Sequence, residues 1–248
     1  MNIFKQMINS FSKSLFVNFK CLFCGEETIN ESNVCPKCEK KVKALFNEIC
    51  DKCGALEFKS TARCVNCFDK KYYFLKHRSC FIYDDLSASP VKLLKYEKRK
   101  YYVEPIAKIM FAFHREFISN VDYITFVPMT EDRKRNRGYN QSEELAKCLS
   151  AYSGIQTIDC LCKVKSTTHQ ADLNFDQRMK NLKDSFSFKL DYCELVKGKN
   201  ILVVDDVFTT GSTMNECARV LLKAKVKNVY ALTFLKTHPF LTDNKLPF

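Results

Sequence analysis

The sequence predicts an α/β protein, a parallel sheet layered with helices, preceded by a small duplicated cysteine-rich module. Three observations predict it. Four C-x-x-C pairs fall within the first 67 residues at a repeat period of 29; behind them short apolar runs alternate with amphipathic ones; and one such run, ILVV, ends in two adjacent aspartates followed by a glycine-hydroxyl turn. Strand and helix patterns in alternation argue for a parallel sheet with helical crossovers. With 248 residues the chain has room for one large domain and a small one. The expected division is an amphipathic N-terminal helix over 1–20, the cysteine module over 21–70 and the α/β domain over 71–248.

The N-terminal segment carries Ile3, Phe4, Met7, Ile8, Phe11, Leu15, Phe16 and Phe19 at helical spacing, with Lys5, Lys13 and Lys20 between them. Such a stripe suits a helix packed on the next module, or one lying on a membrane surface. Its scattered lysines break the continuous apolar core that a secretory signal needs. No later run reaches membrane-spanning length, and the expectation is a cytoplasmic protein.

Cys21, Cys24, Cys35 and Cys38 form one C-x2-C-x10-C-x2-C unit, and Cys50, Cys53, Cys64 and Cys67 form its copy. Two knuckles of this kind present four thiolates to one tetrahedral zinc, so two structural zinc sites are expected, one per repeat. A cross-braced pairing between repeats is the alternative. Four sulfur ligands leave no open position for water, which argues against catalytic zinc. Zinc also supplies the stability that so short a module cannot obtain from apolar burial. The formal charge of +12 falls to about +8 once each centre carries about two negative charges. That excess still favours polyanionic partners.

In the α/β region the expected strands are 79–86, 122–129, 155–164, 200–206 and 228–237. The expected helices are 104–118, with Pro105 in its first turn, 141–154, ending at Gly154, and 212–224. Ligands of parallel sheets bind at the carboxyl ends of the strands, and Asp205 and Asp206 sit at such an end. Thr209, Thr210, Gly211, Ser212 and Thr213 then open a helix, where free N–H groups and the dipole suit a phosphate. Carboxylates beside a phosphate site point to a phosphorylated sugar. Alone, the same pair is compatible with a magnesium site or a helix cap.

The stretch ILVVDDVFTTGST, residues 201–213, resembles the 5-phosphoribosyl-1-pyrophosphate (PRPP) motif of type I phosphoribosyltransferases. The resemblance implies that fold for 71–248, ribose hydroxyls held by Asp205 and Asp206, and the 5-phosphate cradled by Thr209–Thr213. Residues 126–146 are similar to a segment of the ComF family of competence proteins, through Pro128, Arg137, Gly138, Tyr139, Asn140, Gln141, Leu145 and Ala146. Gln170, Leu173, Arg178 and Asn181 match a second ComF element, and the duplicated zinc ribbon is a third. The chain departs from that family at Tyr83–Asp85, where a glycine is common, and at Lys225–Val226, where Gly-Ala is common.

The ComF resemblance implies a role in natural transformation, handling DNA once it has entered the cell. The expectation is that the fold binds PRPP or a related ribose phosphate, with magnesium, that basic loops bind single-stranded DNA, and that competence proteins are partners. The alternative is an active phosphoribosyltransferase that moves phosphoribose to a nucleobase or another nitrogen acceptor. Arg133, Arg135, Arg137 and Arg178 are candidates for pyrophosphate or DNA-backbone contacts, since guanidinium forks match phosphate oxygens. A solvated charge run is the bland reading of that cluster. KKYYFLKHR (70–78) and KLLKYEKRKYY (92–102) mix cations with aromatics as single-strand binders do, though such aromatics also serve as core. No residue is assigned a catalytic role.

Overall fold

The computed structural model describes residues 19–30, 32–46, 49–56, 64, 67–68, 70–164 and 184–238. The expected N-terminal helix therefore lies outside the described residues except for its last two, which are extended: β1 (Phe19–Lys20) pairs antiparallel with β2 (Glu27–Thr28). Gln170, Leu173, Arg178 and Asn181 also lie outside them.

The repeat seen in sequence recurs in the backbone. Lys20 pairs with Glu27, and 29 positions on Ile49 bridges Leu56. Cys21 N–H donates to Glu26 O at 2.7 Å, and Cys50 N–H to Ala55 O at 2.7 Å. The first C-x-x-C turn of each repeat closes with a glycine in the left-handed region, Gly25 and Gly54, and at Gly54 this is doubly required, since a Cβ would come 2.7 Å from the His77 carbonyl oxygen. The first repeat continues into α1 (Pro36–Lys41), whose N-cap is the Cys35 sulfur, accepting from Cys38 N–H at 3.4 Å.

The α/β domain follows in the order β3 (Lys76–Ile82), α2 (Asp85–Tyr96), α3 (Val103–Ile118), β4 (Tyr123–Phe126), α4 (Glu131–Arg137), α5 (Gln141–Ser153), β5 (Leu161–Lys163), β6 (Phe186–Phe188), α6 (Cys193–Val196), β7 (Asn200–Phe208), α7 (Ser212–Lys223) and β8 (Asn228–Lys236). The sheet order is β3-β8-β7-β4, all parallel. Strand β7 is central, and Ile201 to Val204 are all buried, as a strand covered on both faces requires. Leu202 and Val204 face a core shared with α2, α3 and α5, whereas Ile201 and Val203 face the core under α7.

Two expectations need correction. The strand expected over 79–86 stops at Ile82 because Asp84 and Ser87 form a capping box that starts α2: Asp84 Oδ1 accepts from Ser87 N–H, and Ser87 Oγ accepts from Asp84 N–H. The strand expected over 155–164 is split. Thr157 bridges Ile124 beside the sheet, but β5 then leaves it to pair antiparallel with β6.

The two zinc-ribbon repeats straddle the sheet. Leu22, Phe23 and Cys35 belong to the core of α2, α3 and α5, whereas Cys53, Ala55 and Cys64 pack with the core under α7. Between them the chain runs along the outer edge of β3, with Leu45 N–H donating to Cys80 O and Ile82 N–H to Lys43 O. An open sheet edge is thereby covered. Among the described residues no helix is long and apolar enough to cross a membrane.

Candidate functional site

The carboxyl end of β7 carries Asp205 and Asp206, and the pleat turns consecutive side chains to opposite faces. Asp206 is 3% exposed and pairs with Lys95 Nζ of α2 at 2.9 Å. Among the described residues its Oδ2 is buried and lacks a hydrogen-bond partner, so this oxygen can accept from a ligand hydroxyl. Asp205 accepts from Ser142 Oγ of α5 at 2.7 Å and from Asp206 N–H at 2.9 Å. Burial first, then the charge of Asp206, raises the Asp205 carboxyl to about 7, against the pull of Ser142 and Lys95.

Behind the pair, Thr209 to Gly211 turn the chain and α7 begins at Ser212. Gly211 has φ +80°, and a Cβ there would lie 2.3 Å from the Phe208 ring, so both backbone and space demand glycine. Thr210 Oγ1 and Ser212 Oγ lie 2.8 Å apart. A 12-residue helix starting at this turn directs its first N–H groups and positive end at the space above it.

The basic cluster lies on a short helix, α4. Its N-terminus follows β4, next to β7 in the sheet, which brings it to the same edge. Arg133 is half-buried, and its guanidinium pKa is lowered by burial and by Arg137. Lys163 of β5 is pulled down by burial and by Arg133, and held up in part by Cys217 and Asp205. Arg133 thus feels the charge of Arg137, and Lys163 the charges of Arg133 and Asp205. Arg135 is turned to solvent and ion-paired with Asp132. Arg137 donates to Gln141 Oε1 at 2.7 Å. Tyr139 Oη donates to Leu94 O at 2.7 Å and Asn140 Nδ2 to Val127 O at 3.0 Å, so this motif also ties α5 to α2 and β4.

Sequence reading missed Lys95, Ser142 and Lys163. Lys95 lay in a segment weighed for nucleic acid or for core packing, and Ser142 adjoins the matched Gln141. No sequence signal marks Lys163, since its strand leaves the main sheet. Of the two basic-aromatic segments, Tyr72 and Phe74 are core, whereas Tyr96 and Tyr101 are more than 60% exposed among Lys98, Arg99 and Lys100.

The cysteines gather as two sets, Cys21, Cys24, Cys35, Cys38 and Cys50, Cys53, Cys64, Cys67, each with its sulfurs within 4.8 Å of one another. Tetrahedral zinc with sulfurs at about 2.3 Å gives edges of about 3.8 Å. Cys24 and Cys35 are 3.7 Å apart, Cys53 and Cys64 3.7 Å, and Cys50 and Cys67 3.9 Å. Both sets fit zinc, one within each repeat and without cross-bracing.

Residues 112–239, just over half the chain, match the phosphoribosyl transferase domain, and residues 13–68 match the double zinc ribbon domain. Competence protein F of Haemophilus influenzae is 28% identical over 86% of this chain and 95% of its own length. The DNA utilization protein YhgH of Escherichia coli K12 is 26% identical over 77% of this chain and 84% of its own. Competence protein ComFC of Bacillus subtilis is 24% identical over 84% of this chain and 85% of its own.

Proposed function

This chain belongs to the phosphoribosyl transferase domain family, carried behind a double zinc ribbon as in the ComF family, and from that premise we propose that it binds PRPP or a related ribose 5-phosphate and handles single-stranded DNA during uptake. The observation that carries the ligand reading is the meeting of an acidic pair and a hydroxyl-rich helix start at one strand end. Thr209–Thr213 and the first-turn amides of α7 take the 5-phosphate. Asp205 and Asp206 accept from the ribose hydroxyls, and the buried Oδ2 of Asp206 gains the donor it lacks. Arg133, Arg137 and Lys163 face the other phosphoryl groups, and Arg135 adds positive charge toward solvent. Magnesium bound with PRPP would neutralise the charge of the pyrophosphate.

The DNA reading is supported by the names of the relatives and by Tyr96 and Tyr101 standing exposed among cations. Aromatic faces stack bases while Lys and Arg pair with phosphates.

Calorimetric titration of Mg-PRPP into wild type and an Asp205→Asn, Asp206→Asn double variant tests the site. Saturable binding is expected in the wild type, with at least about a tenfold loss in the variant; equal binding by both proteins would remove the assignment. Pyrophosphate release across a nucleobase panel, measured on the same samples, separates an enzyme from a binding module. Oligonucleotide binding is expected to weaken steeply with salt, with a slope reduced by about one in Arg137→Ala. Binding insensitive to salt would sink the DNA reading.

A further inference from the structure

The second zinc ribbon and the phosphate loop are far apart in sequence, yet three sets of contacts join them. His77 of β3 is wholly buried, its Nδ1 is 2.9 Å from Cys53 O and its Nε2 is 3.0 Å from Thr233 Oγ1. With both nitrogens engaged, the ring has one orientation. It lies against the Phe208 ring, with centroids 3.9 Å apart and planes inclined by 27°. Phe208 in turn fills the space beneath Gly211. Across the same ring, buried Lys236 places Nζ 3.9 Å from the centroid.

The other two contact sets come from the segment leaving the ribbon. Tyr72 stacks on Phe74 at 4.7 Å and its hydroxyl donates to Thr210 O at 3.3 Å. Asn215, buried in the first turn of α7, accepts from Tyr73 N–H at 2.5 Å and donates to Lys71 O at 3.0 Å. The first ribbon packs on the opposite face, where Phe23 meets Phe81 at 5.4 Å and Phe234 at 6.4 Å.

We propose that the second zinc ribbon is the scaffold of the phosphate loop: closure of the Cys50, Cys53, Cys64, Cys67 centre, relayed through His77, Tyr72 and Asn215, holds residues 208–215 in their ligand-ready shape, while the first centre stabilises the other face without setting that shape. On one side the turn at 209–211 is tied to the end of β8, where Thr237 N–H donates to Phe208 O at 3.0 Å and its hydroxyl to Thr209 O at 3.4 Å; on the other its conformation depends on what Phe208 and the start of α7 rest on. Loss of the second metal therefore acts at the ligand edge and not only on global stability. The functional meaning of this coupling rests on reading 209–213 as a phosphate loop, but the order of the loop is measurable without ligand.

The test is amide hydrogen exchange read by mass spectrometry on full-length wild type, Cys24→Ser, Cys64→Ser and His77→Ala, each with its zinc counted. Cys64→Ser is expected to hold one zinc and to exchange about tenfold faster over 208–215. Cys24→Ser is expected to hold one zinc with that stretch unchanged. His77→Ala is expected to hold both zincs and still exchange faster there, which a purely metal-stabilising role would not produce. Unchanged protection in Cys64→Ser, or equal loss in both cysteine variants, overturns the proposal. Should Cys64→Ser unfold throughout, His77→Ala decides: faster exchange at 208–215 with both zincs retained supports the scaffold, and wild-type protection overturns it. Because no ligand is present, a wild type that fails to bind Mg-PRPP bears only on the ligand reading.

Discussion

At the scale of single residues, the acidic pair shows how one motif can contain two different groups. Asp206 is neutralised by Lys95, whereas Asp205 is half-buried beside that pair, held by a hydroxyl and one amide. An ordinary aspartate releases its proton near 3.8, but Asp205 keeps its own to about 7. Between those values the folded chain binds the extra proton, so stability falls as pH rises and levels off above about 7. Asp205→Asn removes the ionised form. It is expected to raise Tm by a few degrees at pH 8, on the order of 1 kcal/mol, and by less at pH 5. Thermal melts at the two pH values check this; an equal gain at both would show that ionisation is not the cause. If Asp205 holds a ribose hydroxyl as proposed, protein stabilised in this way is also expected to lose Mg-PRPP binding.

At the scale of elements, caps and edges explain most of the departures from the expected strands and helices. The D-D of Asp84–Asp85 reads as a strand end, but its first member caps α2 and halts β3. Lys225 stands where the ComF pattern has glycine, and it keeps the left-handed conformation with φ +66° just beyond α7. A side chain in that region costs about 1 kcal/mol, so Lys225→Gly is expected to stabilise the chain by about 0.5–1 kcal/mol in urea titration. A destabilised variant would mean that the lysine makes a compensating contact. The α7 cap therefore has the same geometry as a glycine cap, built from a less suitable residue.

At the scale of the whole molecule, the zinc module is built into the α/β domain and is not a separate bead. Its repeats occupy both faces of the sheet, and the chain between them shields the outer edge of β3. A chain beginning at residue 70 would expose Phe81 and Phe234 on one face and Phe74 on the other, together with an unpaired edge. Such a truncation is expected to aggregate at micromolar concentration, visible by light scattering. A soluble, monomeric truncation with an intact thermal transition would contradict this account.

The sequence by itself determined the elements whose physics is local. The 29-residue period and the ligand spacing are regularities of the chain itself, and the buried β7 run and the glycine-hydroxyl turn depend on neighbours a few positions away, so all are legible in the letters. Helices 104–118, 141–154 and 212–224 were legible within a residue or so, because their apolar periodicity and terminal residues agree. Only the tertiary structure decided what depends on contact between distant segments. Lys163 reaches the acidic edge because β5 peels off the sheet, Lys95 because α2 lies over one face, and His77 reaches Phe208 because β3 and β7 flank β8. A duplicated sequence signals two equivalent modules, yet the asymmetric faces of one sheet place only the second against the 209–213 turn. Side-chain identity fixes local conformation and ligand chemistry, whereas packing of opposite sheet faces sets which charges share a site.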